Sequence, residues 1–257
     1  MRGHEGSPLD GLRVLDLTRV IAGPTATRIL GALGADVLRI DPPSVPEDPD
    51  TFVDMGFDKR SLTFDFRDSK CLAVFDRLAA EADVVVTGYR PGALEGLGVG
   101  EILDSYPHLI RISVSAWGVE GPWGTWNGFD SIVQAACGVA HLYRDSESGS
   151  PGALPVQALD YATGYYMAAE VLSALAKQQR NGSATISELA LSRTADALFE
   201  RPVSPGPKQA LQSCDMITRN SPYGQLKFVL PPFDLPSKPL VYKRVPPAYG
   251  SALPQWR

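Results

Sequence analysis

The chain has 257 residues, of which 44% are hydrophobic and 21% charged, with a formal net charge of −5 at pH 7. This length and composition are typical of one large globular domain with a full hydrophobic core. The mildly acidic balance gives no general attraction to nucleic acid or to an anionic membrane surface, so we expect neither as a partner.

The cysteines and histidines predict neither a disulfide framework nor a metal centre. Cys71, Cys137 and Cys214 are odd in number and widely spaced, which is typical of reduced thiols in an intracellular protein. The three histidines do not pair at metal-ligand spacing. Residues 1–8 lack the apolar core of a secretory signal, and no apolar run is long enough to cross a bilayer. The sequence therefore predicts a cytoplasmic protein, with an organellar location as the alternative.

The order of the first elements predicts a parallel sheet. Residues 12–17 form a short apolar run typical of a buried strand. Residues 25–33 have helical spacing and end before Gly34, a typical helix C-terminal residue. A second apolar strand follows at residues 36–40. Strand, helix and strand in this order predict a right-handed βαβ unit.

The alternation of strands and helices continues along the chain. Further strands are predicted at residues 61–66, 83–87 and 109–115, and helices at residues 69–82, 91–103, 129–140 and 161–179, with a loop at residues 42–58. This pattern predicts an α/β fold, a Rossmann-like, doubly wound and mostly parallel sheet. Residues 198–257 are rich in proline and show little periodicity, so we expect an extended C-terminal arm after a large domain of residues 1–197.

The first βα turn does not match a dinucleotide-binding motif. A Rossmann fingerprint needs G-x-G-x-x-G so that the backbone can approach a pyrophosphate. Here Gly23 is followed by Pro24 and Thr25, and the second glycine is missing. This disfavours NAD as a ligand.

A series of motifs in the same order resembles the CoA-transferases of family III, the CaiB/BaiF type. The matching segments are LDGLRVLDLTRVIAGP at residues 9–24, LGADVLRI at 33–40, KRS at 59–61, ADVVVTGYRPG at 82–92, PHLIRISVS at 107–115, GFDSIVQA at 128–135, LD at 159–160 and TG at 163–164. Each motif alone is weak, and their order and spacing together carry the resemblance. It implies an enzyme that moves coenzyme A (CoA) from an acyl-CoA donor to a small carboxylic acid, with CoA as substrate and no permanently bound cofactor.

The resemblance implies that Asp160 is the catalytic nucleophile. Seen alone, this residue ends an extended segment and opens a helix, which is typical of a simple N-cap. In the family, this position holds an aspartate that attacks the thioester carbonyl and forms a covalent intermediate. The backbone N–H groups at the start of the same helix are expected to bind the oxyanion.

The family's CoA contacts fall on four loops of this chain. Carried over position by position, they are Ile21, Ala22, Phe64, Asp65, Phe66, Arg67, Gly88, Tyr89, Arg90, Asn127, Gly128, Phe129 and Asp130. Arg67 and Arg90 are expected to contact phosphate, and Tyr89 to pack on the adenine or the pantetheine.

Two departures from the family leave alternatives open. Phe129 stands where the α-methylacyl-CoA racemases of the family keep a catalytic histidine, which weakens the reading of this chain as an isomerase. Most of the family's small second domain has no counterpart here, although residues 221–226 and 231–232 resemble its closing segment. We therefore expect a homodimer or a partner chain to complete the site. A non-catalytic acyl-CoA-binding subunit is a further alternative.

Overall fold

The computed structural model describes residues 6–201, 214, 216–236 and 238–257 of the chain. Its centre is a six-stranded parallel sheet covered by helices on both faces, which confirms the predicted doubly wound α/β fold. Residues 1–5, 202–213, 215 and 237, which include part of the predicted arm, lie outside the described residues. The domain boundary at residue 197 stays a prediction.

The strand order places the switch point of the sheet between β1 and β4. The strands of this sheet are β1 (Arg13–Leu17), β2 (Asp36–Asp41), β3 (Lys59–Thr63), β4 (Val84–Thr87), β5 (Ile110–Ser115) and β6 (Ile186–Ala190). They run in the order β3-β2-β1-β4-β5-β6. In an open parallel sheet, ligands bind beyond the carboxyl ends of the strands at this point of reversal.

Helices cover the two faces of the sheet. They are α1 (Ala22–Ala32), α2 (Pro49–Met55), α3 (Ser69–Ala80), α4 (Val99–Asp104), α5 (Asp130–Ala136), α6 (Val139–Leu142), α7 (Ala158–Asn181) and α8 (Leu191–Phe199), with a 3₁₀ turn at Glu95–Leu97. Helices α1 and α7 share one core with alternate residues of the strands, such as Val84 and Val86. Val85 points to the opposite core, beneath α3. None of the described helices could span a membrane.

Several elements differ from the sequence-based predictions. The loop predicted at residues 42–58 contains the short helix α2, which Asp48 caps by accepting the amide N–H of Thr51 at 2.9 Å. The helix predicted at residues 129–140 is two helices, because Gly138 adopts a left-handed φ of 87° between them. Strand β6 and helix α8 were not predicted. Exposed residues alternate with partly buried ones along most of β6, so its sequence lacks the continuous apolar run that predicts a buried strand.

A buried ion pair ties three elements of the sheet and its helix layer together. The Nζ of Lys59 on β3 lies 3.0 Å from Oδ2 of Asp16 on β1 and donates to the carbonyl of Pro24 in α1 at 2.9 Å. Asp16 also accepts hydrogen bonds from the hydroxyls of Thr18 and Thr27. Burial lowers the pKa of Lys59 to about 8, while the charges of Lys59 and Arg39 outweigh desolvation and hold the pKa of Asp16 below its usual value.

The described part of the C-terminal arm has more structure than its sequence pattern predicts. It contains a hairpin of β7 (Met216–Ser221) and β8 (Gly224–Val229) and a short antiparallel pair of β9 (Asp234–Leu235) and β10 (Lys238–Pro239). Phe228 and Tyr242 pack on Phe57, at ring centroid distances of 4.5 Å and 4.8 Å. The final segment runs along β3, where the amide of Ala252 donates to the carbonyl of Ser61 at 2.7 Å. This contact covers the exposed edge of the sheet.

Helices α1 and α7 approach each other closely at Gly164. A Cβ atom at this position would lie 2.5 Å from the carbonyl oxygen of Ala22 and 2.7 Å from Cβ of Thr25. The glycine lies one helical turn after Asp160, on the same face of α7. The close approach therefore sets how near Asp160 comes to the start of α1.

We predict that Gly164→Ala lowers the free energy of unfolding by about 1–3 kcal/mol, because the added methyl group forces α7 away from the backbone of α1. Gly96→Ala is a matched control, since its added Cβ would meet no atom within 4 Å. Urea denaturation of both variants measures the effect. Equal stability of the two variants would contradict the proposed close packing.

Candidate active site

A cavity of about 430 Å³ opens at the carboxyl ends of β1, β4 and β5. Its walls come from the β1–α1 loop, the loop after β4, the loop between β5 and α5, and the first residues of α7 and α8. The lining residues are Arg19, Val20, Ala22, Gly23, Gly88, Tyr89, Arg90, Pro91, Val114, Ser115, Ala116, Trp126, Asn127, Gly128, Phe129, Asp160 and Leu191. The cavity thus lies at the switch point of the sheet, where α/β folds bind ligands.

Most of the predicted site residues meet in this one cavity. Those that line it are Ala22, Gly88, Tyr89, Arg90, Asn127, Gly128, Phe129 and Asp160. Ile21 precedes the first turn of α1, and Asp130 lies behind the wall, at the start of α5. These residues are far apart in sequence, and parallel strands bring their loops to one edge of the sheet.

The predicted contacts after β3 lie apart from the cavity lining. Phe64 and Phe66 are buried in the core beneath α3, where Phe66 packs edge-on against Phe75 at 5.3 Å. Asp65 accepts the amide N–H of Arg67 in a local turn. Strand β3 is the edge strand, and β2 separates it from β1. The structure therefore gives the side chains of Phe64 and Phe66 a packing role, and Arg67 lines no wall of this cavity.

Asp160 lies inside the first turn of α7 and not at its cap. The helix begins at Ala158, with Gln157 at the cap position. Asp160 is 6% exposed and lines the cavity. Among the described residues, no side chain or backbone group donates a hydrogen bond to its carboxylate. A buried carboxylate facing a cavity without a protein donor is available to react with a ligand.

The cap of α7 is supplied from another helix by Asp130. Its Oδ2 accepts the backbone N–H groups of Leu159 at 2.8 Å and Asp160 at 3.0 Å. Its Oδ1 accepts a short hydrogen bond from the side-chain amide of Gln134, whose carbonyl in turn accepts the N–H of Leu154 at 2.8 Å. Asp130, which was predicted as a CoA contact, thereby fixes the direction of α7 and the position of Asp160.

This capping overturns one expectation about the oxyanion. The amides of Leu159 and Asp160 are already taken by Asp130, so they do not point freely at a substrate. The uncapped amides of α1 are a better source. Within the described residues, the N–H groups of Ala22 and Gly23 have no acceptor, and both residues line the same cavity as Asp160.

Burial and a neighbouring charge raise the pKa of Asp160 to about 7. The larger cause is the loss of hydration on burial, which disfavours the charged form, and the second is repulsion from the carboxylate of Asp130. Such a shift in a cavity is typical of functional carboxylates.

The structure adds lining residues that the sequence analysis did not select. Arg19 and Val20 lie in the same turn as the predicted Ile21 and Ala22, and Ser115 ends a predicted strand, so their places along the chain could have indicated them. Leu191 begins α8, which the pattern did not predict. At the rim, Trp126 is 60% exposed and stacks on Trp123 with an interplanar angle of 13°.

We predict that Asp160→Asn stabilises the fold increasingly as the pH rises from 4 to 8. The folded pKa of about 7 lies above the ordinary 3.8, so between these values the folded wild type binds more protons than the unfolded chain. The wild type therefore loses stability as the pH rises, by at most about 4 kcal/mol at 1.36 kcal/mol per pH unit, and the uncharged variant does not.

Chemical denaturation at several pH values measures this difference. Asp130→Asn is the companion variant, because asparagine keeps a carbonyl acceptor for the two amides and removes the second cause of the raised pKa. It should reduce the pH dependence without abolishing it. An advantage of Asp160→Asn that is the same at pH 4 and pH 8 would contradict the raised pKa.

Comparison with known proteins finds relatives that cover most of this chain. Residues 9–204 match the profile of CoA-transferase family III. The human succinyl-CoA:glutarate CoA-transferase is 33% identical over 189 residues, which cover 68% of this chain and 43% of that protein. A probable fatty acyl-CoA transferase, Rv3272 of Mycobacterium tuberculosis, is 35% identical over 210 residues, or 76% of this chain and 53% of that protein.

A solved structure shows the same fold. The crystal structure of a CaiB/BaiF family protein from Brucella suis superposes with a TM-score of 0.70 at 30% identity, covering 76% of this chain and 56% of the other. The chain spans about half the length of the curated relatives it matches. The matched segment contains the whole parallel sheet and every residue that lines the cavity. This chain therefore belongs to CoA-transferase family III.

Proposed function

We propose that this chain acts in CoA transfer from an acyl-CoA donor to a carboxylic acid, with Asp160 as the nucleophile. The observation that carries the proposal is the carboxylate of Asp160, which is buried, faces the cavity and accepts no hydrogen bond from the described residues. Membership of the family supports the same reaction class. CoA takes part as substrate and carrier.

The chemistry needs only one protein carboxylate. An oxygen of Asp160 attacks the thioester carbonyl and forms a mixed anhydride, and the C–S bond breaks to release CoA thiolate. The thiolate then attacks the aspartyl carbonyl, which releases the donor acid and leaves an aspartyl-CoA thioester. The acceptor carboxylate attacks this thioester, which forms a second mixed anhydride with Asp160 and again releases CoA thiolate. The thiolate then attacks the acceptor's acyl carbonyl and breaks the anhydride, which gives the new acyl-CoA and restores the Asp160 carboxylate. Each step exchanges one carbonyl substituent, so no oxidant or reductant is required.

The environment of Asp160 suits a nucleophile that must lose its hydration. Burial removes the water that makes a carboxylate unreactive, and the same burial raises its pKa to about 7. The rate of attack should therefore rise with pH through about 7, because only the ionised form attacks. The free amides of Ala22 and Gly23, which line the same cavity, offer donors for the negative oxygen that develops.

The cations of the cavity favour one side for CoA. Arg19 comes from the loop after β1 and Arg90 from the loop after β4, which are neighbouring strands. Tyr89, beside Arg90, is half-buried and presents an apolar ring to the same wall. The wall after β5 is formed by apolar residues such as Val114 and Ala116, together with Phe129. We propose that the phosphates of CoA bind on the side of Arg19 and Arg90.

The isomerase alternative has little support from the cavity. Abstraction of a proton from an acyl α-carbon needs a base beside the substrate. Among the described lining residues there is no histidine or lysine, and Phe129 at the rim carries no titratable group. Asp160 is the carboxylate of this wall, and it is assigned to attack on the thioester.

A second chain would cover the open side of the site. Trp126, Phe129 and Ile132 are each at least half exposed, and all three lie at or beside the cavity rim. Large exposed apolar side chains grouped at a ligand site are typical of surfaces that another chain covers. We propose a homodimer or a complex with a partner chain, in which the covering chain excludes water from Asp160.

We predict that an acyl-CoA and hydroxylamine convert Asp160 to a hydroxamate that peptide mass spectrometry can locate. Asp160→Ala should give no labelled peptide, whereas Asp145→Ala, on an exposed loop, should label as the wild type does. CoA binding without any adduct would favour the non-catalytic acyl-CoA-binding subunit. Deuterium exchange at the acyl α-carbon in place of an adduct would favour the isomerase.

We also predict that Arg90→Gln raises the Kd for CoA by about tenfold, because it removes a cation from the cavity wall. The loss should shrink at high salt, where a phosphate–guanidinium contact is screened. Arg67→Gln is the comparison, since Arg67 was also expected to contact phosphate but lies outside the cavity lining. Isothermal titration calorimetry decides between them. A larger loss of CoA affinity in Arg67→Gln than in Arg90→Gln would indicate that CoA binds closer to β3.

A further inference from the structure

Val20, in the wall of the cavity, has a backbone conformation that its side chain disfavours. Its φ is 69°, in the left-handed region. Glycine adopts this region freely, but a β-branched residue there is strained and must be held by its surroundings. The residue lies between Arg19 and the first turn of α1, so the strain falls in the loop that faces Asp160.

The group that holds Val20 is a carboxylate from a different loop. Oε2 of Glu47, on the segment between β2 and α2, accepts the N–H of Val20 at 2.8 Å. The other oxygen, Oε1, lies 3.7 Å from Nη2 of Arg19. Arg19 also donates to the carbonyl of Pro46 at 2.9 Å, next to Glu47. One side chain therefore contacts both the strained residue and the cation beside it.

Glu47 is itself fixed by a buried arginine. Nη2 of Arg39 lies 2.9 Å from Oε2 of Glu47, and the side chains are 1% and 5% exposed. Arg39 is held in turn by a two-point contact with Asp41, at 2.8 Å for each bond, and by the ring of Phe52. A charge so firmly anchored can keep a strained loop in one conformation.

From these contacts we infer that Glu47 is a positioning residue for the CoA side of the cavity. It holds Val20 in the left-handed conformation, and this sets the direction of the Arg19 side chain and of the free amides of Ala22 and Gly23. Arg19 lines the cavity and its side chain is 27% exposed, so its guanidinium can contact an anionic ligand. The inference rests on the proposed function, because it assigns that ligand as CoA.

A purely structural role for Glu47 makes a different prediction. If the carboxylate only neutralised Arg39, its loss would lower stability, and CoA affinity would follow stability in every variant. If it holds the loop, glycine at position 20 should remove the need for it, because glycine adopts the left-handed conformation without strain. In the double variant, the affinity for CoA should then recover while the stability stays lowered.

The experiment measures CoA affinity by titration calorimetry and Tm by thermal unfolding, on the full chain. Four variants are compared with the wild type: Glu47→Ala, Glu47→Gln, Val20→Gly and the double variant Glu47→Ala/Val20→Gly. Asp48→Ala is the matched control. It alters the same segment and removes the cap of α2, but within the described residues the Asp48 side chain has no hydrogen bond or ion pair with Val20 or Arg19.

We expect Glu47→Ala to raise the Kd for CoA by about tenfold, a change of about 1.4 kcal/mol. Glu47→Gln, which keeps an oxygen for the N–H of Val20, and the double variant should both stay within about threefold of the wild type. The double variant should keep the lowered Tm of Glu47→Ala, because Arg39 remains without its second partner. Asp48→Ala should lower Tm without weakening CoA.

Three results would overturn the inference while leaving the proposed function intact. They are an unchanged Kd in Glu47→Ala, a double variant as weak as Glu47→Ala, and an Asp48→Ala variant that loses as much affinity as Glu47→Ala. A wild-type chain that binds no CoA at all would instead overturn the proposed function. The two failures are therefore distinguishable.

Discussion

The contact between Asp130 and the first turn of α7 is the interaction on which the site depends. The carboxylate of Asp130 accepts hydrogen bonds from the amides of Leu159 and Asp160 and so caps α7. The same carboxylate places a negative charge beside Asp160, which raises the pKa of Asp160. One turn further along α7, the helix packs closely against α1 at Gly164. Together these two contacts fix the part of α7 from which the Asp160 side chain faces the cavity.

Two groups of buried charged side chains pack against the β1–α1 segment that lines the cavity. The pair of Asp16 and Lys59 lies under the first turn of α1, and Arg39 with Asp41 and Glu47 lies under the loop before it. Buried ion pairs contribute little net stability, because desolvation offsets their attraction, but they fix geometry strongly since breaking one leaves an unpaired charge. These ion pairs lie beside the β1–α1 loop, and a ligand site there needs a backbone that is held in one conformation.

The sequence predicted the parallel sheet because buried strands such as β1 and β4 are rich in apolar residues. It predicted the loops around Asp160 through the family resemblance. It did not predict β6 and α8, since alternate residues of an edge strand face solvent and the pattern fades. The capping of α7 by Asp130 and the hydrogen bond from Val20 to Glu47 both join residues that are distant in sequence. No periodicity or local motif contains such contacts, and only the fold brings them together.

The raised pKa of Asp160 limits what can cover the site. At a pKa of about 7, roughly half of the carboxylate is ionised at neutral pH, which is a workable fraction for a nucleophile. A covering chain that only excluded water would raise the pKa of Asp160 further and leave too little of its ionised form. Whatever closes over the cavity must therefore bring hydrogen-bond donors or positive charge to the carboxylate. The rim residues Trp126 and Phe129 carry no charge, and neither donates a hydrogen bond to Asp160, so we infer that these groups come from the covering chain or from the ligand itself.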